Sequence, residues 1–186
     1  MGLAVGLFLV AACDKSGTQR LQAGRLDARW TGPDSGKISA PAAAEWCSDR
    51  LLLEIQAIQG DTGLALVLYT RDSIGADSYR VVAPSRADSS HPSASLALRL
   101  FSQTAVKGFQ GDSGTVILER SGSGPLSGSV SARARSVLNA DQIRLTGRFE
   151  RVAVTPQVRG CAPETPDTSF GAGSSDDADS DDEQVD

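Results

Sequence analysis

The feature that most constrains the fold is a two-residue alternation of apolar and polar side chains. It is clearest in the segments Leu126–Arg135 and Ile143–Glu150. In the first, valine and alanine alternate with serine and arginine; in the second, isoleucine, leucine, glycine and phenylalanine alternate with arginine, threonine and glutamate. Successive side chains of a β-strand point to opposite faces of a sheet, so this period indicates half-buried strands. The two segments therefore predict a pair of antiparallel strands with one face in the core.

Further strands are expected wherever short apolar runs lie between turn residues such as glycine, serine, aspartate and asparagine. These are Ala28–Thr31, residues 50–59, Leu64–Thr70, Tyr79–Ala83, Leu96–Phe101 and Thr115–Arg120. Tight turns are predicted at Gly60–Gly63 and Gly111–Gly114, and a short helical or irregular piece at residues 41–48. Such spacing is typical of a mainly β domain, here residues 25–162, built as an antiparallel β-sandwich or a small barrel of about seven to nine strands.

The first residues of the chain form an apolar segment, Leu3–Ala12, that ends at Cys13. This segment is too short for a transmembrane helix, which needs about 20 residues, but it fits the apolar part of a signal peptide. The motif Val10-Ala11-Ala12-Cys13 resembles the lipobox of bacterial lipoproteins. The resemblance implies a signal peptide at residues 1–12, acylation of Cys13, for example by palmitate, and a flexible tether at 13–24. It also implies a lipid-anchored protein on the extracytoplasmic side of the bacterial cell envelope.

Two other cysteines, Cys47 and Cys161, remain once Cys13 carries lipid. Disulfides persist outside the cytosol, so we expect these two to form a disulfide that closes the ends of the domain. The alternative is a metal pair or a reactive thiol. The chain has one histidine and no Cys-x-x-Cys motif, so the sequence assigns no metal ligands and no cofactor.

Negative charge is concentrated at the end of the chain. Between Pro163 and Asp186 there are nine acidic residues and no lysine or arginine. Residues 163–186, here called the acidic tail, are therefore expected to be disordered. Removing these nine charges from the net charge of −5 leaves +4 for the preceding chain, which is too weak a positive charge to predict a nucleic-acid partner.

The segments Leu126–Val130 (LSGSV) and Leu145–Phe149 (LTGRF) are similar to patterns in β-rich bacterial envelope lipoproteins. This similarity covers about residues 110–155 and implies an architecture but no activity. A second motif, Gly111–Gly114 (GDSG), resembles the nucleophile loop of trypsin-like serine proteases, but Thr115 stands where that loop has another glycine. His91 lies only 22 residues before Ser113, so we interpret the motif as a hairpin turn and assign no catalytic residue.

Arginines gather on the polar side of the two alternating segments. If these strands pair, Arg133, Arg135, Arg144 and Arg148 share one outward face. Like charges facing each other across a sheet are unfavourable, so this face is a candidate anion-binding surface. The anion could be the acidic tail, a lipid headgroup or an acidic envelope polymer; the alternative is an ordinary solvated face.

These observations favour a non-enzymatic binding or structural module of the cell envelope. A carrier of calycin type is the first alternative, and it would require an interior pocket of several hundred Å³. A hydrolase is the second alternative.

Overall fold

The computed structural model describes residues 24–88, 90–120 and 124–156, which fold into ten strands and two one-turn 3-10 helices. The strands are β1 Arg25–Thr31, β2 Gly36–Cys47, β3 Leu52–Gln59, β4 Thr62–Tyr69, β5 Asp77–Val81, β6 Ser93–Phe101, β7 Val106–Arg120, β8 Leu126–Ser136, β9 Gln142–Val152 and β10 Val154–Pro156. The 3-10 helices are Ser48–Arg50 and Pro84–Arg86. The prediction of a mainly β fold is confirmed. The predicted signal peptide, the acidic tail, Cys13 and Cys161 lie outside the described residues.

Strands β1 to β9 close into a barrel. Most consecutive strands pair antiparallel, and β1 pairs with both β2 and β9, so that Arg25 faces Pro41 on one side and Glu150 on the other. The short β5 is inserted between β6 and β7, antiparallel to β7 and parallel to β6. Of the two predicted architectures, the barrel is therefore the one the chain adopts.

The barrel interior is filled by side chains. The inward positions of the strands form one contiguous cluster of buried apolar residues that includes Trp30, Tyr79, Phe109 and Phe149. The predicted alternation is confirmed in β8 and β9, whose valine, alanine, isoleucine, leucine and phenylalanine side chains are buried while their arginines are exposed. Each fully buried large apolar side chain stabilises the fold by about 1.5–3 kcal/mol, so this core is the main source of stability.

One end of the barrel is closed by a chain crossing at Gly24. Arg151, near the end of β9, has a φ of 54°, and from Val152 the chain passes over the start of β1. It then joins β2 in parallel as β10, where Pro156 pairs with Trp46. A Cβ on residue 24 would lie 2.4 Å from the Cα of Val152, so only glycine fits under the crossing. The first and last described residues therefore lie at the same end of the barrel, which we call the terminal end. The opposite end carries the β1–β2, β3–β4, β6–β7 and β8–β9 turns, and we call it the turn end.

The prediction for residues 41–48 was wrong. Residues 41–47 form the second half of β2, whose pairing with β3 runs from Ala42 opposite Ala57 to Cys47 opposite Leu52. Helical structure starts only at Ser48. The misleading signal was Pro41 shortly after Ser39, a combination that can open a helix. Several alanines in this segment are too small to mark an inward or outward face, and the pairing with β3 decides the local structure.

The turn predicted at Gly111–Gly114 was also wrong, because this segment lies within β7. Its register against β8 shifts between Gly111 and Ser113, which is the mark of a β-bulge. Before the bulge, Val106–Gln110 of β7 pair with β6; after it, Thr115–Leu118 pair with β5. Gly114 has a φ of 130° and lies against the β8 backbone, so the glycines allow β7 to change partners rather than to reverse direction.

No helix in the described ranges is long and apolar enough to cross a membrane.

Candidate anion-binding face

The structure brings the four predicted arginines together on the outer surface of the β8–β9 pair. Arg133 is directly opposite Arg144 in the register, Arg135 is opposite Gln142, and Arg148 is opposite Ser129. All four arginines are exposed. The hairpin pairing on which the predicted face depended is therefore present.

Barrel closure adds three cations that the sequence analysis did not include. Arg25 and Arg29 of β1 and Lys37 of β2 also point outward, and Arg29 is opposite both Thr146 and Lys37. The Arg29 Nε donates a hydrogen bond to Thr146 Oγ1 at 3.4 Å. The alternation in β1 could have shown that its arginines are exposed, but not that β1 pairs with β9. We call the outer surface of β8, of β9 as far as Glu150, of β1 and of the first half of β2, with these seven cations, the basic face.

Near the terminal end the positive charge is partly neutralised. Arg25 Nε lies 3.1 Å from Asp27 Oδ1, and Ser39 links the two by accepting from Arg25 and donating to Asp27. The Ser39 hydroxyl and then Arg25 hold the pKa of Asp27 below its ordinary value, so this carboxylate stays ionised at neutral pH. Its charge is thus already satisfied by Arg25 and Ser39.

A second carboxylate, Glu150, lies 3.5 Å from Arg148. Arg135 lies 3.5 Å from Asp112 of β7. Arg148, Glu150 and Arg135 are more than half exposed and Asp112 is partly exposed; such surface pairs contribute about 0–1 kcal/mol. They lower the local charge of the face without ordering it strongly.

The centre of the basic face has uncompensated charge. Arg29, Lys37, Arg133 and Arg144 form no ion pair with any residue that the structure describes. Arg133 and Arg144 face each other across the β8–β9 ladder, an arrangement that is unfavourable for two like charges. A bound anion would relieve this repulsion.

Hydroxyl groups and two shallow depressions lie among these cations. A groove of about 430 Å³ is bordered by Arg29, Lys37, Thr146 and Arg148. A neighbouring depression of about 240 Å³ is bordered by Arg133, Arg144, Ser113 and Ser131. Guanidinium, ammonium and hydroxyl groups are donors that phosphate and carboxylate oxygens accept from, so the surface is chemically suited to an anion with several charged groups.

The protease-like motif does not form a catalytic arrangement with the histidine. Ser113 donates its hydroxyl proton to the adjacent Asp112 at 2.9 Å, while His91 Nδ1 lies 3.2 Å from the Ser90 hydroxyl. No hydrogen bond joins His91 to Ser113 in the described ranges. Nor do the described residues contain a group of three or more histidine, cysteine or acidic side chains placed to hold a metal ion.

Cys47 is fully buried at the last position of β2. The parallel pairing of β10 with β2 ends at Pro156 and Trp46, so the chain leaves the described region one position before Cys47. This geometry is consistent with a disulfide to Cys161, which stays a prediction.

No protein-family model matches the chain, and no curated protein or solved structure is significantly similar to it.

Proposed function

We propose that this protein is a lipid-anchored, non-enzymatic module of the bacterial cell envelope that binds an anionic polymer through its basic face. The observation that carries the proposal is the opposed pair Arg133 and Arg144, which has no carboxylate partner among the described residues. Arg29 and Lys37 extend the same uncompensated charge across β1 and β2. A repeating phosphate or carboxylate chain could neutralise these groups one after another.

A polymer fits the composition of this surface better than a bilayer does. Between the cations the outward side chains of β8 and β9 are mainly serine and threonine. The exposed large apolar residues of the described chain lie elsewhere, on β3, β6 and β7 and in the β8–β9 turn: Ile58, Phe101, Val106, Ile117, Val137 and Leu138. Proteins that lie on membranes insert apolar side chains among their cations, and the outward positions of β1, β8 and β9 carry no large apolar side chain.

The lipobox-like motif supplies the proposed location. Lipid on Cys13 would precede Gly24, where the described chain begins, by 11 residues. Such a spacer spans at most about 40 Å when fully extended. Because Gly24 lies at the terminal end of the barrel, the tether would leave the side wall, and with it the basic face, open to the envelope space.

A carrier of calycin type is also compatible with a closed barrel. Carriers of that kind hold their ligand inside, in a pocket of about 300–1,000 Å³. In this barrel Trp30, Phe109 and Phe149 belong to the packed interior. The filled interior favours a ligand on the outer wall, so the module is the function that we propose.

Binding of long-chain polyphosphate, used as a simple polyanion, would test the proposal. We expect the full chain to bind it, and a plot of the logarithm of the binding constant against the logarithm of the salt concentration should have a slope of about −3. Each of the four uncompensated cations would contribute about −0.7 to this slope. The Arg133→Gln/Arg144→Gln variant should bind at least about tenfold more weakly, since a hydrogen bond to a charged group contributes about 1.5–3 kcal/mol.

Arg99→Gln is the matched control, because Arg99 is an exposed strand arginine whose cross-strand neighbours are Gly63 and Gly108. It should leave the affinity unchanged. Equal losses in both variants would show a non-specific charge effect and overturn the proposal. Binding to phosphatidylglycerol–phosphatidylcholine vesicles with no binding to polyphosphate would also overturn it, in favour of a membrane surface.

A further inference from the structure

The acidic tail is the strongest charged feature of the chain that the proposed function does not use. It has nine carboxylates and no cation, whereas the basic face has seven cations and two carboxylates, Asp27 and Glu150. We propose that the acidic tail occupies the basic face when no polymer is bound, and that a polymer must displace it. This inference rests on the proposed anion-binding role of the face and assigns its regulation.

The basic face is the preferred place for the tail on the described surface. The four central cations have no ion-pair partner among the described residues, and they are opposed in two cross-strand pairs, Arg133 with Arg144 and Arg29 with Lys37. Arg99, which is also unpaired within the described part of the chain, has glycine at both cross-strand positions. An acidic segment gains most where it ends the repulsion between two opposed arginines. Charge complementarity therefore favours binding of the acidic tail to the basic face.

The tail is also long enough to reach this wall. Residues 157–175 separate Pro156 from Asp176, the first of six acids within eight residues. These 19 residues span at most about 65 Å. Pro156 lies beside Trp46, and Lys37 is nine residues back along β2, or about 30 Å at the usual rise of a strand. The acids therefore reach both depressions of the face.

Covalent attachment makes the tail an effective competitor. A segment joined to the same chain acts at an effective concentration in the millimolar range for short linkers, so weak contacts suffice. If the tail covers the face for nine-tenths of the time, the apparent affinity for an external polymer falls about tenfold. The competition should weaken with salt, because the Debye length shortens to about 3 Å at 1 M.

The test compares the full chain with a full-length variant whose tail is neutral. The substitutions are Asp176→Asn, Asp177→Asn, Asp179→Asn, Asp181→Asn, Asp182→Asn and Glu183→Gln. At low salt we expect the neutral-tail variant to bind polyphosphate about tenfold more tightly than the native chain, and at 1 M salt we expect no difference.

A second measurement locates the tail directly. Carbodiimide joins a carboxylate to a lysine amine only when the two are in contact, and the chain has three lysines: Lys15, Lys37 and Lys107. We expect cross-links from the tail to Lys37 on the basic face, identified by peptide mass spectrometry, and their loss when polyphosphate is added. Tail cross-links to Lys107 in place of Lys37 would overturn the inference.

The outcomes separate the two proposals. If the native and neutral-tail proteins bind polyphosphate equally well at low salt, the tail does not regulate the face, and the proposed function stands. If neither protein binds polyphosphate, the proposed function itself fails.

Discussion

Replacing Arg144 by glutamine should make the barrel more stable. Arg144 faces Arg133 across the β8–β9 ladder, and no described carboxylate compensates the pair. Two unit charges about 6 Å apart in a water-like dielectric repel by about 0.7 kcal/mol. This agrees with the range of about 0.2–1 kcal/mol for cross-strand pairs. An increase in the free energy of unfolding would be diagnostic of this repulsion, because most substitutions destabilise a protein or leave its stability unchanged.

The assay is urea unfolding of Arg144→Gln in the neutral-tail background, so that the tail cannot supply the missing counter-charge. At low ionic strength we expect the midpoint to rise by about 0.3 M urea, taking an m value of about 2 kcal/mol/M. At 1 M salt the gain should vanish, because the repulsion is screened. With polyphosphate present the order should reverse, since the parent protein then gains more binding energy.

Arg99→Gln serves again as the control, and its midpoint should not rise, because glycines flank Arg99 on both sides. A midpoint that falls in Arg144→Gln, or that rises equally at low and high salt, would refute the electrostatic reasoning.

Three further predictions concern the core and the ends of the barrel. Burial, then Asp77 and Asp72, raises the pKa of Tyr79 to about 12. The unfolded chain therefore loses this proton first, and stability should fall by about 2–3 kcal/mol as the pH rises from about 10 to 12. In Tyr79→Phe, denaturant titrations should show this alkaline loss reduced. If Cys47 and Cys161 form a disulfide, its loss should lower the free energy of unfolding by up to about 4–5 kcal/mol, whether by reduction, by Cys47→Ser or by Cys161→Ser. These effects should not add, because each removes the same bond. A free thiol at both positions in non-reducing mass spectrometry would exclude the disulfide. Gly24→Ala should lower the free energy of unfolding by about 1–3 kcal/mol, measured by thermal or urea unfolding, because the new Cβ would meet Val152. Gly63→Ala is the control and should change stability little, because the space around Gly63 is open. Equal effects in the two variants would contradict the crossing at Gly24.

The sequence predicted the fold best where alternation was strong and the partner strand was adjacent in the chain. The β8–β9 hairpin is the main example, because its period fixes which side chains are buried and its short turn fixes the pairing. Prediction failed at β2, where small residues on both faces conceal the period. It failed also at Gly111–Gly114, because glycines that permit a bulge within a strand resemble those of a turn.

The candidate site was predicted only in part for a similar reason. The arginines of β8 and β9 are close in sequence, so their shared face follows from one hairpin. Arg29 and Lys37 join that face only because β1 pairs with β9, and the closing of a barrel depends on the curvature of the whole sheet rather than on any local pattern.

The pairing of β1 with β9 has a consequence for how the chain matures. Arg25 is paired with Glu150, which is synthesised 125 residues later. Domains dominated by such distant contacts fold in about milliseconds to seconds, and until then one edge of β1 has unsatisfied N–H and C=O groups. The β1–β2 hairpin would therefore keep an open edge that is prone to aggregation until β9 has been synthesised and pairs with it.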